Sequence, residues 1–165
     1  MAASKKNIPL ADYLFQVVEN SDFLTGFIVG HLVLESLLKA EISRADSNVG
    51  RFSNRLVFAS VVDLCQEMNI IKSDQAGTLR AINKMRNNLA HNLRYEPTRN
   101  EVKDLFIKAK STFSDMTDGL DQGIETLSNP AWKHEPGDYT LADLFIQIAY
   151  DLNLFHDTEI QKIGK

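Results

Sequence analysis

The chain has 165 residues, 44% of them hydrophobic and 24% charged, which is typical of one folded domain and excludes a disordered chain. Its formal net charge of −4 argues against a protein that coats nucleic acid with its whole surface. The single cysteine, Cys65, excludes an internal disulfide, so a cross-linked secreted scaffold is not expected.

Two stretches bear on where the protein works. The N-terminal segment MAASKKNIPL contains lysines but no apolar core of signal-peptide length behind them. The most apolar stretch, FLTGFIVGHLVL, is interrupted by His31 and followed by Glu35 before it reaches the length of a bilayer span. We therefore expect a cytoplasmic protein that has no membrane anchor.

Helical spacing of apolar residues recurs along the whole chain, and no alternation of period two persists, which predicts an all-α fold. We expect a bundle of about five to six helices, at roughly residues 9–19, 22–43, 54–68, 73–92 and 98–128, with an extra amphipathic helix from residue 140. The fifth of these is long, and Gly119 and Gly123 suggest a bend in its later part.

The expected helix starts rest on capping residues. Ser53 or Asn54 suits the cap of the third helix, after the polar segment RADSNVGRFSN has broken the second, and Ser73 suits the cap of the fourth. Two pairs have the spacing of capping boxes, Thr98 with Glu101 and Thr140 with Asp143.

The segment SNPAWKHEPGDY has the prolines and glycine of a linker. It divides the chain into a helical bundle at residues 1–128, a linker at 129–139, and an amphipathic helix and tail at 140–165 that pack on the same domain or on a partner. Within the linker, Trp132, His134 and Tyr139 could stack on a nucleobase, while docking of Trp132 onto the bundle is the plainer interpretation.

Basic residues concentrate in one part of this acidic chain. From Arg80 to Arg99 the local net charge is +4. An anionic ligand is therefore expected there, and the basic residues that we expect to bind nucleic acid are Arg80, Lys84, Arg94 and Arg99.

The same region contains the stretch INKMRNNLAHNL, in which an arginine, two asparagines and a histidine follow closely. Asn87 and His91 are four residues apart and so lie within about 40° of each other on a helix. Arg86 lines up instead with the apolar stripe of Leu79, Ile82, Leu89 and Leu93.

An arginine on an apolar stripe needs a partner, because an unpaired buried charge is costly. A buried ion pair of Arg86 with Glu35 would be purely structural, and it is one of two open interpretations. His91 also has a structural interpretation, since a histidine near a helix C-terminus is favoured by the helix dipole.

The functional interpretation is that arginine clamps a phosphate, histidine moves protons and asparagine holds either in place. These residue types suffice for RNA cleavage without a metal, in which the ribose 2′-hydroxyl is the nucleophile. One copy supplies a single histidine, whereas two copies about a two-fold axis would supply two.

The stretch KMRNNLAH resembles the motif of the HEPN superfamily, an arginine, a polar residue, three further residues and a histidine. The longer stretch RFSNRLVFASVVDLCQEMNIIKSDQAGTLRAINKMRNNLAH looks closer still to the mannitol operon repressor-like branch, in which a helix beginning near a Phe-Ser pair precedes a short turn and an Arg-Asn…Ala-His helix. The resemblance covers roughly residues 23–113.

The resemblance implies a HEPN-like helical bundle that forms a homodimer around the motif. It implies that Arg86 stabilises the phosphate or transition state, that Asn87 orients and that His91 is the acid or base. We expect Glu35 and Asn88 to support this site.

Two functions follow from the resemblance. The first is a metal-independent endoribonuclease with a toxin or defence role, acting on RNA and held by an antitoxin or another regulatory protein. The second is a non-catalytic regulator, or an RNA- or protein-binding module, of the mannitol operon repressor-like kind. A DNA-binding repressor is a third class, but no basic second helix of a helix-turn-helix is evident.

The sequence lacks the residue patterns of metal sites, nucleotide-binding loops and serine hydrolases. His31 and Glu35 have a spacing that suits two metal ligands, but no second cluster accompanies them, so we expect neither a metal nor a cofactor. Glycine-rich phosphate loops and the serine-hydrolase motif are absent from the sequence. Cys65 lies in an apolar helix and is interpreted as a core residue.

Overall fold

The computed structural model describes residues 10–153, and over this range the chain forms helices and no strand. The described helices are α1 Leu10–Glu19, α2 Phe23–Ala45, α3 Ser47–Ser53, α4 Phe58–Glu67, α5 Ser73–His91, α6 Arg99–Thr112, α7 Gly119–Ser128 and α8 Thr140–Asn153. The predicted all-α bundle is confirmed. The expected start of the first helix at residue 9, and the tail after residue 153, lie outside the described range.

The predicted third helix corresponds to α4, and the polar segment that was expected to be a break forms a further short helix, α3. Asp46 ends α2 by donating its N–H to Ile42 O and begins α3 by accepting from the N–H groups of Asn48 and Val49 at 2.8 and 3.0 Å. The polar segment therefore starts a helix as well as ending one. The expected cap at Ser53 or Asn54 is wrong, because α3 ends at Ser53 and α4 starts after Val57.

The predicted fifth helix is divided into two helices, α6 and α7. The Asp115 carboxylate accepts from the N–H groups of Leu120 and Asp121 at 2.9 and 3.0 Å and so caps the first turn of α7. The expected bend at the glycines is wrong. Gly123 instead lets α7 approach α6, since a Cβ there would lie 2.2 Å from Phe106 Cε1.

The capping box of Thr98 and Glu101 is confirmed. Thr98 Oγ1 accepts the Glu101 N–H at 3.2 Å, and the Glu101 carboxylate accepts the Thr98 N–H at 2.7 Å. The bonds that the carboxylate accepts from the Thr98 N–H and the Thr98 hydroxyl lower the pKa of Glu101. The box expected at Thr140 is not made within the described part of the chain, because the Thr140 N–H donates to Asp138 at 2.8 Å.

Ser73 is the first residue of α5 and not its cap. Lys72 precedes the helix, and its N–H donates to the Gln75 side chain at 2.8 Å. The Gln75 side chain therefore accepts the N–H of Lys72, the residue that precedes the helix. A serine cap would instead accept an N–H from within the first turn.

Helix α2 is the central element, and it packs against α1, α3, α4, α5 and α8. Phe27, Leu34, Leu38 and Ile42 on its inner side are completely buried. By length and composition alone α2 is also the one helix, among those described, that could cross a membrane. A third of its apolar stretch is buried, so the core accounts for part of that composition.

Helix α8 packs against α1, α2 and α7. Its predicted apolar face is buried at Leu141, Leu144, Phe145 and Ile148 and half-buried at Leu152. The closest approach is at Gly30 of α2, where a Cβ would lie 2.2 Å from Phe145 Cδ2. The final helix is thus part of the core that supports α2 and, through it, α5.

Candidate functional site

The motif lies at the C-terminal end of α5, which ends at His91. Asn92 leaves the helix in an extended conformation, and its N–H donates to Asn88 O at 3.0 Å. The polypeptide then turns, with the Tyr95 N–H donating to Asn92 O at 2.9 Å. His91 is therefore the last helical residue, where the helix dipole favours a cation.

Helix α5 is anchored by the apolar stripe that the sequence predicts. Leu79 and Ile82 are fully buried and Leu89 is 7% exposed. Leu93 was expected on the same stripe, but it lies beyond the end of the helix and is 100% exposed. The apolar stripe therefore ends at Leu89. A helix that continued past His91 would have added Leu93 to it.

Arg86 and Asn87 are hydrogen-bonded to each other. The Arg86 Nη1 group donates to Asn87 Oδ1 at 3.0 Å, and both side chains are half-buried. The Arg86 Nε atom is buried and makes no hydrogen bond. Because a guanidinium has five N–H donors, the bond to Asn87 fixes the group and leaves donors for a ligand.

His91 is exposed and makes no hydrogen bond to any described residue. Helix α5 is continuous from Ser73 to His91, so the four-residue spacing brings the Asn87 and His91 side chains to one side of the helix. The arrangement is a fixed arginine and an accessible imidazole at one helix end, which suits binding of a phosphate together with proton transfer.

The ion pair of Glu35 with Arg86, one of the two interpretations that the sequence left open, is not formed among the described residues. The Glu35 carboxylate accepts from Lys39 Nζ at 2.6 Å, one turn along the same helix, and no Glu35–Arg86 bridge exists among the described residues. Lys39 reaches the carboxylate without crossing to another helix, which makes it the nearer partner. Arg86 thus retains its charge without a carboxylate to neutralise it.

His31 is the residue beside the motif that the sequence interpretation missed. It is 2% exposed, its Nε2 lies 3.0 Å from Asn83 Oδ1, and its ring centroid lies 4.1 Å from that of Phe58. Burial lowers the pKa of His31, and the charge of Arg86 contributes, although the bond to Asn83 and the charge of Glu35 oppose the shift. The sequence did offer one signal that His31 is buried, because it lies within the most apolar stretch of the chain.

His31 therefore joins three helices next to the motif, α2 through its own backbone, α4 through Phe58 and α5 through Asn83. Asn83 precedes Arg86 by three residues and lies on the same helix. Within residues 10–153 no group of three histidine, cysteine or carboxylate side chains could hold a metal ion. The contact positions α5 against α2.

The four cations expected to bind nucleic acid have two different environments. Arg80 donates to Asp63 at 2.7 Å and to Gln66 at 2.9 Å, and Arg99 donates to Leu127 O at 2.6 Å. Lys84 and Arg94 are exposed, and their side chains bond to no described residue. Two of the four are therefore engaged within the protein and two are open to solvent.

Asn88 lies on the solvent side of α5 and interacts with Tyr95 in the turn after the helix. The Tyr95 hydroxyl donates to Glu101 at 3.2 Å. Burial and the Glu101 carboxylate raise the pKa of Tyr95, while the hydrogen bond of Asn88 opposes that shift. Asn88 thus supports the turn after the motif and not Arg86 directly.

Comparison with protein-family models, with curated proteins and with solved structures finds no match to this chain. The resemblance to the HEPN superfamily therefore rests on the residues of the motif and of its lead-in. What the site does has to be argued from Arg86, Asn87 and His91 themselves.

Cys65 lies in the core, as the sequence predicts. It is fully buried, and burial raises the pKa of its thiol to about 12. A thiol with so high a pKa supplies almost no thiolate near neutral pH. Cys65 is therefore a packing residue of α4.

Proposed function

We propose that this protein is a metal-independent endoribonuclease of the HEPN type, with Arg86, Asn87 and His91 as its site. The observation that supports this most is the pairing of a fixed arginine with an exposed histidine at one helix end. The Arg86–Asn87 bond of 3.0 Å orients the guanidinium before any ligand arrives. An arginine held in this way binds a phosphate without first losing side-chain freedom.

The proposed reaction uses the RNA itself as the nucleophile. The ribose 2′-oxygen attacks the adjacent phosphorus as its proton passes to an imidazole, and the bond from phosphorus to the 5′-oxygen breaks as that oxygen takes up a proton. The products are a 2′,3′-cyclic phosphate and a 5′-hydroxyl. Arg86 would stabilise the added negative charge on the phosphate oxygens, and His91 would transfer protons.

A homodimer would complete this chemistry, because the attacking oxygen loses a proton while the leaving oxygen gains one, which requires a base and an acid at the same time, and each chain offers one His91. The outer side of α2 supports such an assembly. Leu24 and Leu32 are 44% and 52% exposed, and the half-buried Ile28 lies between them at helical spacing. Through His31 and Asn83 this helix is joined to α5, and a two-fold contact along it that places the two motifs together would supply both histidines.

The experiment that tests the ribonuclease is cleavage of cellular RNA by purified protein in excess chelator. Wild type is expected to cleave, and His91→Ala is expected to lose at least about 100-fold in rate, since it removes the proton carrier. Lys108→Ala is the matched control, because Lys108 is an exposed cation on α6 that has no role in the proposed site. Equal rates for wild type and His91→Ala, both folded, would refute the assignment.

A second function is favoured by one specific observation. Arg80 and Arg99 are bonded within the protein, which leaves fewer free cations for RNA than the sequence suggested. A non-catalytic regulator, or a module that binds RNA or protein through the same surface, needs fewer of them. Under that alternative His91→Ala would change binding and no RNA would be cleaved.

We further propose that the protein acts in the cytoplasm in a toxin or defence role and is controlled by an antitoxin or another regulatory protein. Co-expression with a candidate partner, followed by the chelator assay, tests this control. An inhibited toxin would cleave RNA only when the partner is absent, whereas an unregulated enzyme would cleave it in both cases.

A further inference from the structure

A groove of about 650 Å³ opens directly after the motif. It lies between the start of α2, the end of α5, the following turn, the start of α6 and the linker. The side chains that give it its chemical character are Phe23, Tyr95, Arg99, Trp132, Lys133 and His134. Three aromatic rings and one imidazole in a single groove form a surface on which a flat ligand can stack.

The linker side of this groove is fixed by hydrogen bonds. Trp132 Nε1 donates to Asp138 at 2.8 Å, and His134 Nε2 lies 3.1 Å from Ser21 O. Phe23 meets the His134 ring edge-on, with centroids 5.6 Å apart. Trp132 is thus docked onto the bundle, as the plainer interpretation of the linker predicted, and it is held in place before any ligand binds.

His134 also leaves one hydrogen-bonding atom unused. Because Nε2 faces a carbonyl oxygen, it carries the proton, so in the neutral imidazole Nδ1 is an acceptor. That Nδ1 atom is buried and makes no hydrogen bond. A buried acceptor without a partner is costly, and this one belongs to a side chain that lines the groove.

The charges of the groove suit one nucleobase better than a run of phosphates. Arg99 and Lys133 are balanced by Asp22 and Glu96, so the groove has no net charge. Asp22 is engaged as the cap of α2, where it accepts from the Thr25 N–H at 2.7 Å, whereas Glu96 is exposed and free to accept from a base amino group. An adenine, cytosine or guanine offers such an amino group.

The groove is also close to the motif along the chain. Asn92 and Leu93 line it and follow His91 directly. Two residues of extended chain span at most about 7 Å. A base bound in the groove would therefore be a near neighbour of the phosphate that meets His91.

We propose that this groove binds an unpaired nucleobase of single-stranded RNA, stacked on its aromatic side chains, next to the phosphate held at the motif. A base in a duplex could not enter, so the groove would select unpaired RNA. The inference rests on the proposed function for its choice of RNA, but binding of the base is separable from cleavage.

The test uses the intrinsic fluorescence of Trp132, the only tryptophan in the chain. His91→Ala protein is titrated with a ten-nucleotide oligoadenylate, so that binding is measured without cleavage. A saturable change in fluorescence is expected, because a stacked base alters the surroundings of the indole. The same oligoadenylate paired in a duplex should give no such change.

Two variants locate the binding. Leu93→Asp, at a completely exposed position in the groove, is expected to weaken binding by about tenfold or more, by opposing the RNA backbone with a negative charge. Ile107→Asp is the matched control, since Ile107 is 48% exposed on α6 and does not line the groove. Its affinity for oligoadenylate should equal that of the parent.

Any of three results would overturn the proposal. They are no saturable response to oligoadenylate, an equal response to the duplex, or unchanged affinity in Leu93→Asp. A response to apolar peptides with none to oligoadenylate would likewise assign the groove to a protein partner. Cleavage by the wild type together with any of these results would leave the ribonuclease standing and remove only the base-binding groove.

Discussion

At the scale of single residues, Arg86 is the side chain whose environment is most informative. It lies on the inner half of α5, as its place on the apolar stripe predicts, yet no carboxylate among residues 10–153 pairs with it. Its Nε is buried without a hydrogen bond, and Asn87 satisfies one Nη group only. The residue is therefore placed as a fixed donor for an incoming anion, and its geometry should matter as much as its charge.

The first prediction concerns that geometry. Arg86→Lys keeps the charge but removes the planar fork, so we expect the rate of RNA cleavage to fall by about 10²- to 10³-fold. Single-turnover rates in chelator measure this, with circular dichroism to show that the helices remain. A lysine variant that cleaves as fast as wild type would mean that a point charge suffices.

The second prediction concerns pH and Asp143 in α8. Burial, followed by the charges of Asp115 and Asp138, raises the pKa of Asp143 from 3.8 to about 6. The folded state therefore holds this proton more tightly than the unfolded state, so the contribution to stability is complete below pH 4 and is lost as pH rises through 6.

Asp143→Asn removes this penalty. The gain in unfolding free energy of Asp143→Asn over wild type should increase from pH 4 to pH 7 by about 1–2 kcal/mol, a figure reduced for the partial exposure of the group. Urea unfolding at both pH values measures it. A gain that is the same at pH 4 and pH 7 would contradict the raised pKa.

Sequence reasoning located the motif residues but not their partners. Helical spacing was enough to place Asn87 and His91 together and Arg86 beside the buried stripe. The Glu35–Arg86 pair failed because spacing within one helix says nothing about distance between helices, whereas Lys39 lies within reach of Glu35 on its own helix. The contact of His31 with Asn83 was missed for the same reason.

At the scale of helices, close contacts at glycine determine how the core is assembled. Gly30 allows α2 to lie against the ring of Phe145 in α8, and Gly123 allows α7 to lie against Phe106 in α6. These contacts set the position of α2, which in turn supports α5 through His31. The end of α5 thus depends on packing several helices away.

The third prediction compares two glycines. Gly30→Ala would put a Cβ 2.2 Å from a buried aromatic ring, so we expect a loss of about 1–3 kcal/mol in unfolding free energy. Gly77 in α5 has no atom within 4 Å of an added Cβ, so Gly77→Ala should stabilise by about 0.5–1 kcal/mol. Thermal or urea unfolding of both variants decides it, and loss in both would contradict the packing argument.

The helix boundaries show what local signals can and cannot predict. The capping box of Thr98 and Glu101 was predicted correctly because all its bonds are local. The extra helix α3 and the division of the predicted fifth helix were missed because Asp46 and Asp115 act as caps inside segments whose polar residues were interpreted as a break and as a helix surface. Aspartate is a preferred residue at helix N-termini, so the sequence did contain a signal at both positions. The same residue type is also common in loops and on helix surfaces, which made that signal ambiguous.

At the scale of the whole molecule, the proposed activity requires two chains. The outer side of α2, with Leu24, Ile28 and Leu32, is the surface that we assign to their contact. A two-fold interface would bury apolar side chains of this kind, which lie in a row on a helix that contacts the helix of the motif. Nothing in a single sequence identifies such a surface, because exposure depends on which helices cover it.

The fourth prediction is that Leu32→Glu converts a dimer into a monomer and abolishes RNA cleavage, because it places a charge in the apolar contact. Ile107→Glu, with similar exposure on α6, should remain dimeric and active. Sedimentation velocity and the chelator assay measure both variants. A monomeric wild type that still cleaves RNA would show that one chain is sufficient.

The most direct test of the central claim is the chemistry of the RNA ends produced in chelator by the wild type, with His91→Ala treated in parallel. Attack by the 2′-hydroxyl at the motif predicts 2′,3′-cyclic phosphate and 5′-hydroxyl ends from the wild type and intact RNA from His91→Ala. Fragments bearing 5′-phosphates, equal cleavage by the variant, or RNA left intact by a folded dimeric wild type would contradict the account.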